Sequence, residues 1–543
     1  MTKNLLLLTS LMFAVLHVQA QTVAEPADSS WTRIYRNSYR RINDLVHTKL
    51  EVKFDYEKSY MYGKEWLTLK PHFYPTDSLL LDAKGMDIKE VALFSAAKKT
   101  NLKYQYDSLQ LKITLDRIYK KNEKYTIYIA YTSKPNELKV KGSAAINDAK
   151  GLYFINPKGE DKDKPIQIWT QGETESNSAW MPTIDKPNQK STEEIYMTVP
   201  QKYVTLSNGA LISQKKNPDG TRTDYWKMDL PHAPYLFFMG VGDFVIVKDQ
   251  YKGKEVSYYV EKKYASVARK IFGYTPEMMQ FFSQKLGIEY PWNKYAQMVV
   301  YDYVSGAMEN TTATLHGLYA YQNARDLTDN NGWETTIAHE LFHHWFGDLV
   351  TAESWSNLTV NESMADFSQT LWMEYKYGKD AGDDENQYGL RNYLSDSAGA
   401  NKDLVRFRYP DKEDMFDVVS YQKGGRVLQM LRNYVGEEAF FQSLNLYLTT
   451  YKFKTGEADQ MRLAFEEVTG QDLNWFWNQW YFGSGHPDLK IEYQYDDNVK
   501  KATLIVQQMQ NTGKIFRLPV AIDIYEGSEK RGTKPGLKIK QTR

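Results

Sequence analysis

Residues 333–346 read Trp333-Glu334-Thr335-Thr336-Ile337-Ala338-His339-Glu340-Leu341-Phe342-His343-His344-Trp345-Phe346. Ile337, Leu341 and Trp345 recur at the four-residue spacing of one helical face, so the stretch predicts a helix over 333–346. His339 and His343 then lie one turn apart on one side, where both imidazoles can reach a single zinc ion. Glu340, beside the first His, is placed to act as general base toward a water on that ion without being a ligand. Random placement of the nine His in 543 residues gives under ~0.02 such patterns, so the spacing carries information. His344 points ~100° around the helix from His343, which predicts a supporting contact rather than ligation.

The chain has no Cys, so thiolate ligands, thiol catalysis and disulfides are excluded. A third ligand is then expected to be a carboxylate. Glu362 stands beyond His343 in Asn361-Glu362-Ser363-Met364-Ala365-Asp366, at the start of another predicted helix with Met364, Phe367 and Leu371 on its apolar side. Two His, one Glu and an open position describe a catalytic zinc site rather than a closed structural one. The competing reading is a pair of hydrogen-bonded core histidines and a helix-start carboxylate.

Away from this centre the pattern changes twice. From about residue 45 to 250 the period is two, as in Leu50, Val52, Phe54 and Tyr56 against Glu51, Lys53 and Asp55, with turn clusters such as Asn217-Pro218-Asp219-Gly220 between runs. That favours a large antiparallel β domain. Near 255 helices take over, beginning with one started by Thr275-Pro276 and ended by Gly287, and they continue to about 482. Trp475, Phe476, Trp477 and Trp480 read as core. Alternation returns after His486-Pro487. The prediction is a multidomain α+β chain with units at 21–250, 251–485 and 486–543, the last a short or incomplete β-sandwich.

Lys+Arg and Asp+Glu both total 68, so no long-range field favours nucleic acid, and no such partner is expected. Lys3, the apolar run Leu5 to Leu16 and Val18-Gln19-Ala20 follow the order of a secretory signal over residues 1–20, which predicts export to a periplasm or beyond without a stable membrane anchor.

Gly306-Ala307-Met308-Glu309-Asn310 precedes the His339 helix by about thirty residues. Together the two motifs resemble the zinc metallo-aminopeptidases of the aminopeptidase N and leukotriene A4 hydrolase family, the gluzincins. The resemblance implies a thermolysin-like, mainly helical catalytic domain. It also implies one zinc ion on His339, His343 and Glu362, and peptide substrates with a free N-terminus. In that family the five-residue stretch is an edge segment that binds substrate, here Gly306, Ala307, Met308, Glu309 and Asn310, with Glu309 receiving the α-amine. Chemically, a desolvated ammonium needs such a carboxylate. Thr170-Gln171-Gly172-Glu173, followed by Asp185-Lys186-Pro187, is similar to the stretch supplying a second amine-binding residue, Glu173. The family's usual Arg and Cys there are absent, with Asn177, Ser178 and Thr183 nearby. Ser420-Tyr421-Gln422-Lys423-Gly424-Gly425 resembles the motif whose Tyr, here Tyr421, donates a hydrogen bond to the oxyanion.

Family members usually continue through a β-sandwich and often a helical domain, so the chain reads as a short or truncated member. Two other functions remain open at this stage. One is an epoxide hydrolase on the same scaffold; the other is a zinc-stabilised binding protein without catalysis. Oligomeric state is not legible.

Overall fold

The computed structural model describes residues 30–535, apart from 144, 527 and 528. The expected export signal at 1–20 lies outside the described residues.

The period-two alternation builds an eight-stranded sheet. Its order is Ala210–Lys216, Thr221–His232, Ser191–Pro200, Asn43–Asp55, Tyr60–Pro71, Tyr125–Ser133, Met86–Ser95 and Lys98–Asn101. Leu50, Val52 and Phe54 are buried on one face of Asn43–Asp55. Neighbouring strands are antiparallel except Asn43–Asp55 and Ser191–Pro200, which pair in parallel with His47 opposite Thr192. A parallel partner needs a long connection, and the chain builds several other strands before it returns. At the Asn217–Gly220 turn, Gly220 takes φ +81°, a left-handed conformation that suits a residue without Cβ. Asp219 Oδ1 accepts from the Thr221 N–H at 3.1 Å and closes that turn.

A second sheet, ordered Val204–Ser207, Met239–Gly242, Gln167–Thr170 and Leu152–Ile155, is almost wholly buried. Gln167–Thr170 runs directly into Gln171-Gly172-Glu173. Trp169 Nε1 donates to Tyr301 O at 3.1 Å, which ties this strand to the chain just before the 306–310 segment.

The change of period near 255 predicts helices from there; the structure first completes a five-stranded mixed sheet. It is ordered Val245–Tyr251, Lys254–Val260, Lys294–Val299, Ala313–His316 and Ala307–Met308, and so takes in strands on both sides of residue 250. Lys294–Val299 is buried at every position, so no alternation marks it as a strand. Ala307–Met308 forms the sheet edge, antiparallel to Ala313–His316.

Helices follow. Thr275–Leu286 stops at Gly287, which adopts φ +63°. Thr275 lies inside this helix and does not cap it, its hydroxyl donating to Phe272 O at 2.6 Å. Phe282 packs edge-on to Phe342 of the His339 helix at 4.9 Å between ring centroids, joining the two helices in one apolar core. Phe476, Trp477 and Trp480 belong to that core, in agreement with the sequence reading. Beyond it the chain forms two separate hairpins, Leu489–Asp496 with Lys501–Gln508 and Ala521–Glu526 with Glu529–Pro535.

Candidate active site

The His339 helix spans Glu334–Phe342, four residues shorter at its C-terminus than the apolar spacing predicts. His343 still has helical dihedrals, φ −54° and ψ −27°, and its N–H donates to His339 O at 3.3 Å. The chain then turns away through Gly347, at φ +135°, into the short strand Val350–Ala352. The i, i+4 relation of the two imidazoles therefore survives the early end of the helix.

Glu362 sits in the first turn of Thr359–Tyr377, which packs against the His339 helix. Its Oε2 lies 3.4 Å from His339 Nε2 and 3.5 Å from His343 Nε2. That oxygen is buried and has no hydrogen-bond partner among the described residues. His343 Nδ1 donates to Phe346 O at 3.0 Å, which leaves the Nε2 lone pair aimed at Glu362. His339 Nδ1 meets the Gln369 side-chain amide at 2.9 Å. As placed, the amide nitrogen Nε2 is the atom facing His339 Nδ1; with the amide rotated by 180° its oxygen accepts from the ring, which then presents Nε2 in the same way. Two imidazole nitrogens and one orphaned carboxylate oxygen, all within 4.8 Å of one another, fit a divalent metal ion.

The electrostatics point the same way. Burial alone would push the His343 imidazole down, yet Glu309, Glu362 and Glu340 around it push it well up. Burial would raise the Glu362 carboxyl, but His343 and His339 hold it below the ordinary range. The cavity is thus short of positive charge, which a proton on His343 offsets; a dication offers the same compensation.

Glu340 lies on the cavity wall, buried, with Oε2 free of partners among the described residues. Burial pushes its carboxyl well up, opposed by His343 and reinforced by Glu309 and Glu362, so it is suited to take and hold a proton. Tyr421 stands in the π-helical turn Val419–Lys423, its ring stacked on His339 at 6.0 Å between centroids. Burial and the neighbouring carboxylates keep the phenol protonated far into alkali. The two glycines after it permit close helix approach. A Cβ on Gly424 would lie 1.8 Å from Ser363 Oγ, and one on Gly425 2.1 Å from Asp366 Oδ1, both on the Glu362 helix. Ser363 Oγ also donates to Ser420 O at 2.6 Å, so the Tyr421 turn is fastened one residue from Glu362.

Glu309 and Glu173 arrive from the sheet edge and the end of Gln167–Thr170, and their carboxylate oxygens lie within 4.8 Å of each other and of Glu362. Tyr235 donates to Glu309 Oε1 at 3.4 Å, while Glu173 Oε1 is buried without a partner among the described residues. Burial raises the Glu173 carboxyl strongly, and Glu309 adds to it. Gly306, Ala307 and Glu309 line the cavity of about 290 Å³ with Glu173, Tyr421 and the metal-ligand set. Met308 and Asn310 are not among the lining residues: Met308 is buried with Gln171 Nε2 3.2 Å from its sulfur, and Asn310 is fully buried.

One supporting contact follows the sequence reading, that of His344, and one supporting residue, Gln369, escaped it. His344 has no access to solvent; its Nε2 accepts from the Thr312 N–H at 3.0 Å and its Nδ1 donates to Glu340 O at 3.2 Å. It thereby joins the His339 helix to the loop that follows Glu309. Gln369 could have been found, being seven residues from Glu362 and so on the same helical face.

The chain is similar to known proteins over most of its length. Residues 271–480 match the Peptidase family M1 domain, and residues 37–236 match the Peptidase M1 N-terminal domain. A probable aminopeptidase 1 of Sulfurisphaera tokodaii is 25% identical over 495 residues, which cover 88% of this chain and 58% of the relative. Aminopeptidase M1 of Arabidopsis thaliana is 28% identical over 366 residues, covering 64% and 40% respectively. Human glutamyl aminopeptidase is 28% identical over 363 residues, covering 63% and 36%. The chain spans roughly half the length of such curated relatives or less. Among solved structures, Legionella pneumophila aminopeptidase A in complex with aspartic acid shares the fold at a TM-score of 0.75 and 20% identity, over 92% of this chain and 57% of that one.

Proposed function

Because the chain belongs to peptidase family M1, we propose that it is a zinc-dependent aminopeptidase that removes the first residue from peptides with a free N-terminus. One observation carries the reading: Glu173 and Glu309 bring two buried carboxylates together beside His339, His343 and Glu362. An α-ammonium is the natural partner of such a pair, and an internal peptide bond has none to offer.

His339, His343 and Glu362 would hold the zinc, which when bound supplies Lewis-acid polarisation of the scissile carbonyl and acidifies the attacking water. The chain's own groups do the rest. Glu309 and Glu173 hold the ammonium and so place the first peptide bond against Glu340. Glu340 takes the proton of the attacking water and passes it to the departing amine. Tyr421 donates a hydrogen bond to the oxyanion that develops on the carbonyl. Gly306 and Ala307 lie along the substrate backbone.

Export to a periplasm or the exterior is part of the proposal, supported by the charged and apolar order of residues 1–20. Among the described residues no helix is long and apolar enough to cross a membrane.

The test is a panel of amino-acid 4-nitroanilides with and without chelator. Chelator-sensitive release is expected, lost in Glu340→Gln with zinc content unchanged and strongly reduced in Glu309→Gln. Full turnover by Glu309→Gln refutes the amine clamp. Absent release favours a binding protein, release that chelator leaves unchanged refutes the zinc dependence, and turnover of an epoxide fatty acid without any anilide favours the epoxide hydrolase.

A further inference from the structure

Glu173 Oε1 is buried without a hydrogen-bond partner among the described residues, and a Glu309 carboxylate oxygen lies within 4.8 Å of the Glu173 carboxylate. Burial raises the Glu173 carboxyl, and the charges that add to this are all carboxylates, led by Glu309. Like charges so placed repel until an ammonium comes between them. The position of Glu173 must therefore be held by the turn that carries it.

That turn is closed by the Ser176 N–H, which donates to Gly172 O at 2.7 Å. Glu175 stands in it, two residues after Glu173. Its Oε2 accepts from Lys186 Nζ at 2.6 Å and its Oε1 from Trp355 Nε1 at 3.1 Å. Lys186 also reaches Asp82 Oδ2 at 3.4 Å, at the end of strand Thr76–Asp82. Lys84 Nζ and Ser178 Oγ donate to the Glu175 carbonyl, the latter at 3.2 Å. Burial would raise the Glu175 carboxyl, but Lys186 and Lys412 hold it below the ordinary range, so it stays charged.

Trp355 opens the turn Trp355–Asn357, just ahead of the Glu362 helix. Its ring meets Tyr235 edge-on at 5.4 Å between centroids, and Tyr235 donates to Glu309 and accepts from Asn361 Nδ2 at 3.2 Å. Glu175 is thus tied along the chain to Glu173, and through Trp355 and Tyr235 to Glu309. Glu175, Lys186 and Trp355 line a second cavity, of about 550 Å³, that shares no lining residue with the first. They reach a substrate only through the two acids.

We infer that the Lys186–Glu175 ion pair, with Trp355, is a latch that fixes the spacing of Glu173 and Glu309 for an α-ammonium. Glu175, Lys186 and Trp355 are positioning residues. This rests on the aminopeptidase reading.

The experiment is calorimetry on the zinc-loaded full chain with two ligands that differ only in the amine, leucine hydroxamate and 4-methylpentanoyl hydroxamate. The ratio of their dissociation constants reads the amine clamp, whereas a general loss of structure weakens both alike. Expected is a parent that binds leucine hydroxamate at least about tenfold tighter, a ratio that falls at least about tenfold in Glu175→Gln and in Lys186→Met, and its recovery in Lys186→Arg. A ratio left unchanged by either of the first two substitutions overturns the inference. Should either variant fail to fold, Trp355→Phe decides, since it keeps a ring against Tyr235 but removes the donor to Glu175: a lowered ratio supports the latch and an unchanged one overturns it. A parent ratio near one refutes the amine clamp itself, and the latch with it.

Discussion

Replacing His344 with Phe tests whether one buried hydrogen bond holds the segment that carries Glu309 against the helix that carries His339. The ring packs between Tyr290, stacked at 5.6 Å, and Tyr295, edge-on at 4.9 Å, so Phe preserves most of the aromatic contact. What it removes is the acceptor for the Thr312 N–H, at 3.0 Å, and the donor to Glu340 O. Thr312 has no solvent access, so its N–H would be stranded, at a cost of about 1–3 kcal/mol. If opening of the 308–316 segment becomes easier by that amount, its Thr312 amide exchanges ~5- to ~150-fold faster, since each 1.4 kcal/mol is about a factor of ten. Hydrogen exchange followed by mass spectrometry on peptides covering 308–316 reads this directly. Because Glu309 is on the loosened segment, KM for anilides should rise more than kcat falls. Unchanged protection at Thr312, with KM also unchanged, would refute the claim that His344 sets the register between the two elements.

Three further outcomes follow from the geometry. Glu362→Gln should lower zinc stoichiometry measured by atomic absorption well below one per chain, since it replaces the charged ligand between two imidazoles; retention of stoichiometric zinc would contradict the ligand set. Gly424→Ala forces a Cβ toward Ser363 Oγ, so it should destabilise the fold by about 1–3 kcal/mol and lower kcat by displacing Tyr421; a melting temperature and kcat equal to those of the parent would show that the close approach is dispensable. Burial raises the Asp185 carboxyl to about 6 from an ordinary value of 3.8, with Lys84 opposing and Glu175 reinforcing. The folded state then holds a proton that the unfolded state has lost, so this contribution to stability is present below the unfolded pKa and is lost as pH rises through about 6. Asp185→Asn should flatten melting temperature against pH between about 4 and 6; an unaltered profile would exclude Asp185 as the titrating group.

The convergence of His339, His343 and Glu362 was legible because most of its constraint is local. The spacing of His339 and His343 needs only one helical turn, and Glu362 follows from the absence of Cys and the start of the next helix. The alternating strands were legible for a similar reason, since a half-buried sheet writes its period into consecutive residues. The mixed sheet around Lys294–Val299 was not, because a strand buried on both faces carries no alternation and matches a buried helix in composition. The exact end of the His339 helix was also hidden. Trp345 continues the apolar spacing, but Gly347 and the Phe346 carbonyl take the chain out of the helix first.

The sequence by itself determined which groups can do chemistry here: two imidazoles one turn apart, a neighbouring base and a third acid on a helix. Only the tertiary structure decided that Glu173, at the end of a strand in the β half, closes to within 4.8 Å of Glu309 and Glu362. The physical reason is distance along the chain. Periodicity reports the face a residue presents within its own element, whereas the meeting of carboxylates from separate elements depends on packing between sheets and helices, which no local pattern encodes.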